Sequence, residues 1–218
     1  MGSFLIVGMG RFGKAVATEL YAMKHDVMVI DDKEERLAPI ANNVTEAIIG
    51  DAKDEAVFRS LDIFSFDCVV VSIASAIEDS VLTTIMLKEM GAKMLVCKAQ
   101  NDWHAKILTG LGADRVIQPE ADMGKRVAHF LSKKSIVDYL ELSPEYGIME
   151  LLTPSRWFDK SISQSDLRKK HGITIIAIRD GETGGIVFSP NADAVMRKGD
   201  VLTMLGTKRD LDVVSGIA

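Results

Sequence analysis

Six residues near the start of the chain, Gly8-Met9-Gly10-Arg11-Phe12-Gly13, form a G-x-G-x-x-G pattern. Glycines recur by chance, so the pattern alone is weak. Here it follows an apolar run, Phe4–Gly8, that reads as a buried strand, and it opens a stretch with helical spacing. In that setting Gly8 permits a tight turn, Gly10 lets a phosphate approach the backbone, and Gly13 lets helix and strand pack closely. The free N–H groups of the helix start and its positive dipole end suit an anion. Asp31 closes the second apolar run, where an acid can accept hydrogen bonds from both ribose hydroxyls and repel a 2′-phosphate. The chemistry expected is therefore binding of NAD or an adenosine nucleotide rather than NADP. Arg11 and Phe12 belong to the same loop. An arginine there opposes the helix dipole unless an anion lies nearby, although a solvated helix-start arginine is the plainer alternative. Asp32 reads best as the N-cap of the next helix.

Other candidates follow by position. Asp51 and Ala52 follow the third strand and Lys98 ends the fifth, so both places border base and ribose. Ser72 and Ala74 follow the fourth strand beside the point where strand order reverses, and small side chains there leave room for a ligand. Glu120 follows Pro119 at a helix start. A carboxylate aimed at phosphates needs a divalent cation between them, so the residue alone reads as a favourable first-turn acid. The four histidines have no metal-ligand spacing, and Asp102-Trp103-His104 reads as a surface helix start. No proton-transfer constellation accompanies the nucleotide motif, which weighs against an NAD-dependent oxidoreductase.

These residues need a frame. Short apolar runs alternate with amphipathic stretches through the first 120 positions: Phe4–Gly8, Val27–Ile30, Ala47–Ile49, Cys68–Ile73, Met94–Cys97 and Arg115–Ile117 as strands, with helices between. That alternation demands a parallel sheet covered on both faces. Pro39 shortens or kinks the helix expected over Lys33–Asn42. The pattern changes near Ser132-Lys133-Lys134-Ser135. Beyond it come strands at Ile136–Leu142, Ile148–Leu152, Ile173–Ile178, Ile186–Phe188 and Val201–Leu205, with short helices at Asp166–His171 and Lys208–Val214. The fold class expected is α/β: a Rossmann-type, doubly wound parallel sheet over residues 1–134, then a smaller α+β domain over 135–218. A domain of that size is marginal alone, which favours a dimer.

Composition narrows the classes. Among 218 residues 47% are apolar and the net charge is −5, which suits a packed core and argues against a nucleic-acid partner, including a DNA-bound NADH redox sensor. No apolar run approaches the roughly 20 residues of a membrane helix. Cys68 and Cys97 sit inside apolar runs as core thiols. A cytoplasmic protein without a leader and without membrane insertion is expected.

The motif Gly8–Gly13, Gly50-Asp51-Ala52, Lys98-Ala99-Gln100-Asn101, Gly112-Ala113-Asp114-Arg115-Val116-Ile117 and Pro119-Glu120-Ala121-Asp122-Met123-Gly124 together resemble the Ktr- and Trk-type cytosolic regulatory subunits of bacterial potassium uptake systems, built on domains that regulate conductance of potassium. The resemblance covers nearly the whole chain. It implies a non-enzymatic gating subunit that binds ATP or ADP, and in some members NAD(H), at the Rossmann site. It implies homodimers assembled into an octameric ring on a membrane potassium-translocating subunit, and hence peripheral association with the membrane. By the same resemblance Arg11 reaches a neighbouring subunit's terminal phosphate, and Asp31 holds the ribose. Glu120 helps hold magnesium or calcium with ATP, which reverses its reading as a first-turn acid. The second domain resembles a module that in some members binds cyclic di-AMP, with Ile162, Arg168, His171, Ile173 and Pro190 in the matching region. The chain departs from the family at Lys33, where an asparagine is common, so nucleotide preference is open there.

Overall fold

The structure, a computed structural model, describes residues 1–73 and 76–216. Two compact units divide it, Met1–Glu120 and Ala121–Ala218.

The first unit alternates strand and helix: β1 (Ser3–Val7), α1 (Arg11–Ala22), β2 (Asp26–Asp31), α2 (Glu34–Leu37), β3 (Glu46–Ile49), α3 (Glu55–Arg59), β4 (Cys68–Val71), α4 (Ile77–Glu89), β5 (Leu95–Lys98), α5 (Asp102–Gly110), β6 (Arg115–Ile117) and the start of α6 (Pro119–Ser132). Among the described residues six strands form one parallel sheet in the order β3-β2-β1-β4-β5-β6. The order reverses between β1 and β4, which leaves a crevice beyond their carboxyl ends. Pleating sends Leu5 and Val7 to one face, with Phe58, Leu87 and Leu108, and Ile6 to the other, with Met9, Ala17 and Val29. All four residues of β4 are buried, as its unbroken apolar run requires. Pro39 acts as expected: α2 lasts one turn, and a 3-10 turn over Ala38–Asn43 replaces its continuation.

Both thiols lie in these cores. Burial pushes Cys68 up to about 11 and Cys97 in the same direction, so neither is poised as a thiolate. His104 departs from the expectation of a surface helix start. It is 1% exposed, while its neighbour Trp103 is 74% exposed. Asn101 caps α5 by accepting from the His104 N–H, and the ring turns inward so that Nδ1 accepts from the Gln100 N–H at 3.2 Å.

The second unit contains β7 (Ile136–Glu141), β8 (Tyr146–Leu152), β9 (Lys160–Ser161), α7 (Ile162–Ser165), α8 (Leu167–His171), β10 (Thr174–Arg179), β11 (Ile186–Phe188), β12 (Val195–Met196), β13 (Val201–Thr207) and α9 (Lys208–Ser215). An antiparallel sheet in the order β11-β10-β13-β8-β7 carries α9, and β9 pairs with β12. The five expected strands are all present. The two-residue strands β9 and β12 were not visible in sequence, being too short to show a period. Trp157, Leu167, Ile173, Met204 and Leu211 lie in the core of this unit.

Candidate functional site

The glycine loop forms by the expected geometry. Gly8 takes φ +96°, which an L side chain rarely adopts. A Cβ on Gly13 would stand 2.1 Å from the Gly8 carbonyl oxygen, so only glycine lets α1 start this close to the loop. A Cβ on Gly10 would meet nothing within 4 Å. The open side at Gly10 is where a phosphate can approach. Gly10 is the N-cap of α1, no side chain caps the helix, and no acid occupies its first turn. The first-turn N–H groups therefore remain available to an anion.

Asp31, at the end of β2, is a buried carboxylate held on both oxygens. Oδ2 accepts from the Met9 N–H at 2.6 Å and Oδ1 from the Lys33 N–H at 3.0 Å. Arg36 Nη1 lies farther off, 3.4 and 3.5 Å from the two oxygens. Burial pulls this carboxyl upward, but the Met9 and Lys33 N–H groups, with Asp32 and Arg36, together leave the pKa below the ordinary value. On each oxygen the second acceptor position meets only the long Arg36 contact, so a vicinal diol can be received where Arg36 gives way. Asp32 does not cap α2, contrary to expectation. The N-cap is Lys33, without a side-chain bond, and the Asp32 carboxylate lies 3.8 Å from Arg36.

A cavity of about 430 Å³ opens at this place. Gly8, Gly10, Asp31, Asp32, Asp51, Ala52, Ser72 and Lys98 line it, as position suggested. Ala74 lies outside the described residues. Arg11, Phe12, Gly13 and Glu120 do not line it; the first three form the first turn of α1, and Glu120 lies at the start of α6. Phe12 packs against the core, with Lys98 Nζ 5.9 Å from its ring centre. Sequence reasoning missed Arg36, Lys53 and Asp79 as lining residues. Arg36 follows Asp31 by five residues on a one-turn helix, and no motif marks it. Lys53 stands 3.8 Å from Asp51 and 3.6 Å from Asp79. The Ser72 hydroxyl is buried beneath the loop and has no hydrogen-bond partner among the described residues.

Glu120 accepts a hydrogen bond from Lys98 Nζ at 2.5 Å. That bond leads the contributions holding its carboxyl below the ordinary glutamate value, and Arg11 adds a smaller one. The described residues contain no group of three or more His, Cys, Asp or Glu placed to hold a metal. Glu120 alone fits a divalent ion only where phosphate oxygens complete the shell, a common arrangement for magnesium.

The second candidate set differs in exposure. Arg168 is exposed on α8, while Ile162, His171 and Pro190 are partly buried. Ile173 is 1% exposed and packs within the core, so it serves packing and offers no surface to a base.

The chain matches the TrkA-N domain over residues 4–119 and the TrkA-C domain over residues 148–217. It is 40% identical over 208 residues to Ktr system potassium uptake protein A of Bacillus subtilis (strain 168), covering 95% of this chain and 93% of that protein. It is 38% identical to Ktr system potassium uptake protein C of the same organism, with the same coverage. Among solved structures, the GsuK channel superposes with a TM-score of 0.70 at 17% identity, over 99% of this chain and 39% of that one. The GsuK channel bound to NAD gives 0.67 at 17% identity, with the same coverage. Those two likenesses are of fold.

Proposed function

Because the chain belongs to the family of TrkA-N and TrkA-C domain proteins that includes the Ktr potassium uptake proteins, we propose that it is a nucleotide-sensing regulatory subunit that gates a membrane potassium-translocating partner. The observation that carries the reading is the cavity itself. It joins a diol acceptor, Asp31, to an uncapped helix start and a glycine loop with open space at Gly10. Such a site holds an adenosine diphosphate moiety by its ribose and phosphates.

Gating follows from differential binding. A nucleotide shifts an equilibrium between two assembly shapes only by its difference in affinity for them. Arg11 and Glu120 stand at the phosphate end without lining the cavity of their own chain, which suits contact with a terminal phosphate of a neighbouring copy's ATP. Glu120 would then share a magnesium or calcium ion with that phosphate, the ion screening two negative groups from each other. The reading extends to homodimers in an octameric ring, held at the cytoplasmic face of the membrane through the partner. Among the described residues no helix is long and apolar enough to cross a membrane. We assign the ring no catalytic step. We assign α6 to the nucleotide domain as its crossover helix, which puts the domain boundary at 134/135 rather than at the 120/121 division of the compact units. Cyclic di-AMP as a ligand of the C-terminal domain rests on Arg168, Ile162, His171 and Pro190, with Ile173 behind them in the core.

NAD(H) is the second reading for the same cavity, because Asp31 suits either ribose and a fold neighbour is an NAD-bound channel. Equilibrium binding of ATP, ADP, NAD and NADH, each with and without magnesium or calcium, separates the two. The gating reading expects ATP and ADP to bind best and a divalent ion to tighten ATP selectively. Tight NADH with weak, ion-independent ATP would overturn it in favour of a redox sensor.

A further inference from the structure

The second unit contains a cationic cavity that shares only His171 with the candidate ligand residues named above. It measures about 200 Å³ and lies among the 3-10 turn Ser155–Trp157, β9, α7 and α8. Arg156, Lys160, Lys170 and His171 line it together with Trp157 and Gln164, and no carboxylate does. Arg156 stacks over the Trp157 ring at 4.8 Å, and the ring itself is buried. Neither Arg156 nor Lys160 has a carboxylate within ion-pair distance among the described residues. Among the described residues Lys170 has only Asp166, the N-cap of α8, 3.7 Å away. Burial lowers the Arg156 pKa, and no neighbouring acid opposes it. Gln164 accepts from the Ser161 N–H through Oε1, which directs its NH2 end to donate elsewhere. Three cations, a histidine and an amide thus line one cavity, with Asp166 beside Lys170 as the one carboxylate paired to any of the three cations among the described residues.

We infer that this cavity is a binding site for a compact phosphate-class anion. The fork of Arg156 and the point charges of Lys160 and Lys170 match phosphoryl oxygens. At about 200 Å³ the cavity falls below the roughly 300 Å³ at which sites for drug-sized ligands begin, so it suits a phosphate or pyrophosphate group rather than a whole dinucleotide. The group has two possible sources, a soluble phosphate ester or an anionic lipid headgroup.

The chain has two tryptophans, so a Trp103→Phe background leaves Trp157 as the only indole reporter. In that full-length background, inorganic pyrophosphate should change Trp157 fluorescence saturably. Lys160→Gln with Lys170→Gln should weaken the response at least ten-fold and leave ADP affinity within two-fold. Both lysines are exposed, so the double variant preserves folding where Arg156→Gln, which uncovers Trp157, risks it. Absence of a saturable response, or one the double variant leaves unchanged, would overturn the site. Flotation with phosphatidylglycerol vesicles, lost in the double variant and competed by pyrophosphate, identifies a headgroup. Pyrophosphate binding without flotation identifies a soluble ester.

Discussion

Lys98 Nζ donates to Glu120 Oε1 at 2.5 Å, across from the end of β5 to the start of α6, and the lysine side chain is only 12% exposed. A nearly buried ammonium thus occupies the one carboxylate to which a divalent-ion role is assigned. For an ion to reach Glu120, Lys98 must give way or share it, and the phosphate end of the cavity is the neighbouring place an ammonium can go. On the proposed reading, ion binding and phosphate binding would be coupled through this single side chain.

Glu120→Gln keeps the size of the side chain and removes its charge. Titration calorimetry with and without magnesium should find that the divalent enhancement of ATP binding disappears in the variant. ADP affinity should stay within about two-fold, a difference of about 0.4 kcal/mol. Retention of the full divalent effect would remove Glu120 from the ion's shell.

Arg11 sits at the first position of α1, where its charge opposes the helix dipole and Glu120 is the nearby acid. Arg11→Ala should lower ATP affinity about ten-fold, near 1.4 kcal/mol, and change ADP far less. Equal losses for both nucleotides would mean that Arg11 does not read the terminal phosphate.

Asp31 anchors the loop as well as offering a site for a ribose. Asn at this position retains one acceptor oxygen but turns an amide NH2 toward the second backbone N–H. Loss of that charged bond should destabilise the first unit by about 1.5–3 kcal/mol and reduce nucleotide binding at least ten-fold. The folded-state pKa lies below the ordinary value, so the carboxylate contributes stability above about pH 4 and loses it as pH falls through the lower folded value. The melting temperatures of wild type and Asp31→Asn should therefore differ at neutral pH and converge in acid. A gap that is independent of pH would show that packing, not charge, sets the cost.

What sequence revealed and what it hid divide along physical lines. The glycine loop, Asp31 and the parallel, doubly wound sheet were legible because each rests on a local pattern: a motif, an acid at a strand end, a strict alternation of element types. Arg36 was not, because a one-turn helix carries no periodicity and its partner Asp31 is defined only once β2 and α2 are folded. The burial of His104 was hidden for a similar reason. Capping fixed it at the helix start, but the direction of its ring depends on the inward turn to the Gln100 N–H. Ile173 reads equally well as a base contact or a core residue, and only the packing of the second unit decides for the core.

The two glycines of the loop separate folding from binding. At Gly13 an alanine methyl would collide with the Gly8 carbonyl at 2.1 Å and crowd the Ser72 hydroxyl at 2.8 Å, so backbone must move. Gly13→Ala should cost about 3 kcal/mol or more, seen as a lowered denaturation midpoint even without ligand. At Gly10 the methyl meets nothing, so Gly10→Ala should keep the wild-type midpoint within about 0.5 kcal/mol. The same methyl fills the open side where a phosphate must approach, and ADP affinity should fall at least ten-fold. If Gly10→Ala binds ADP as the wild type does, the phosphate does not pass over Gly10 and the orientation assigned to the nucleotide is wrong.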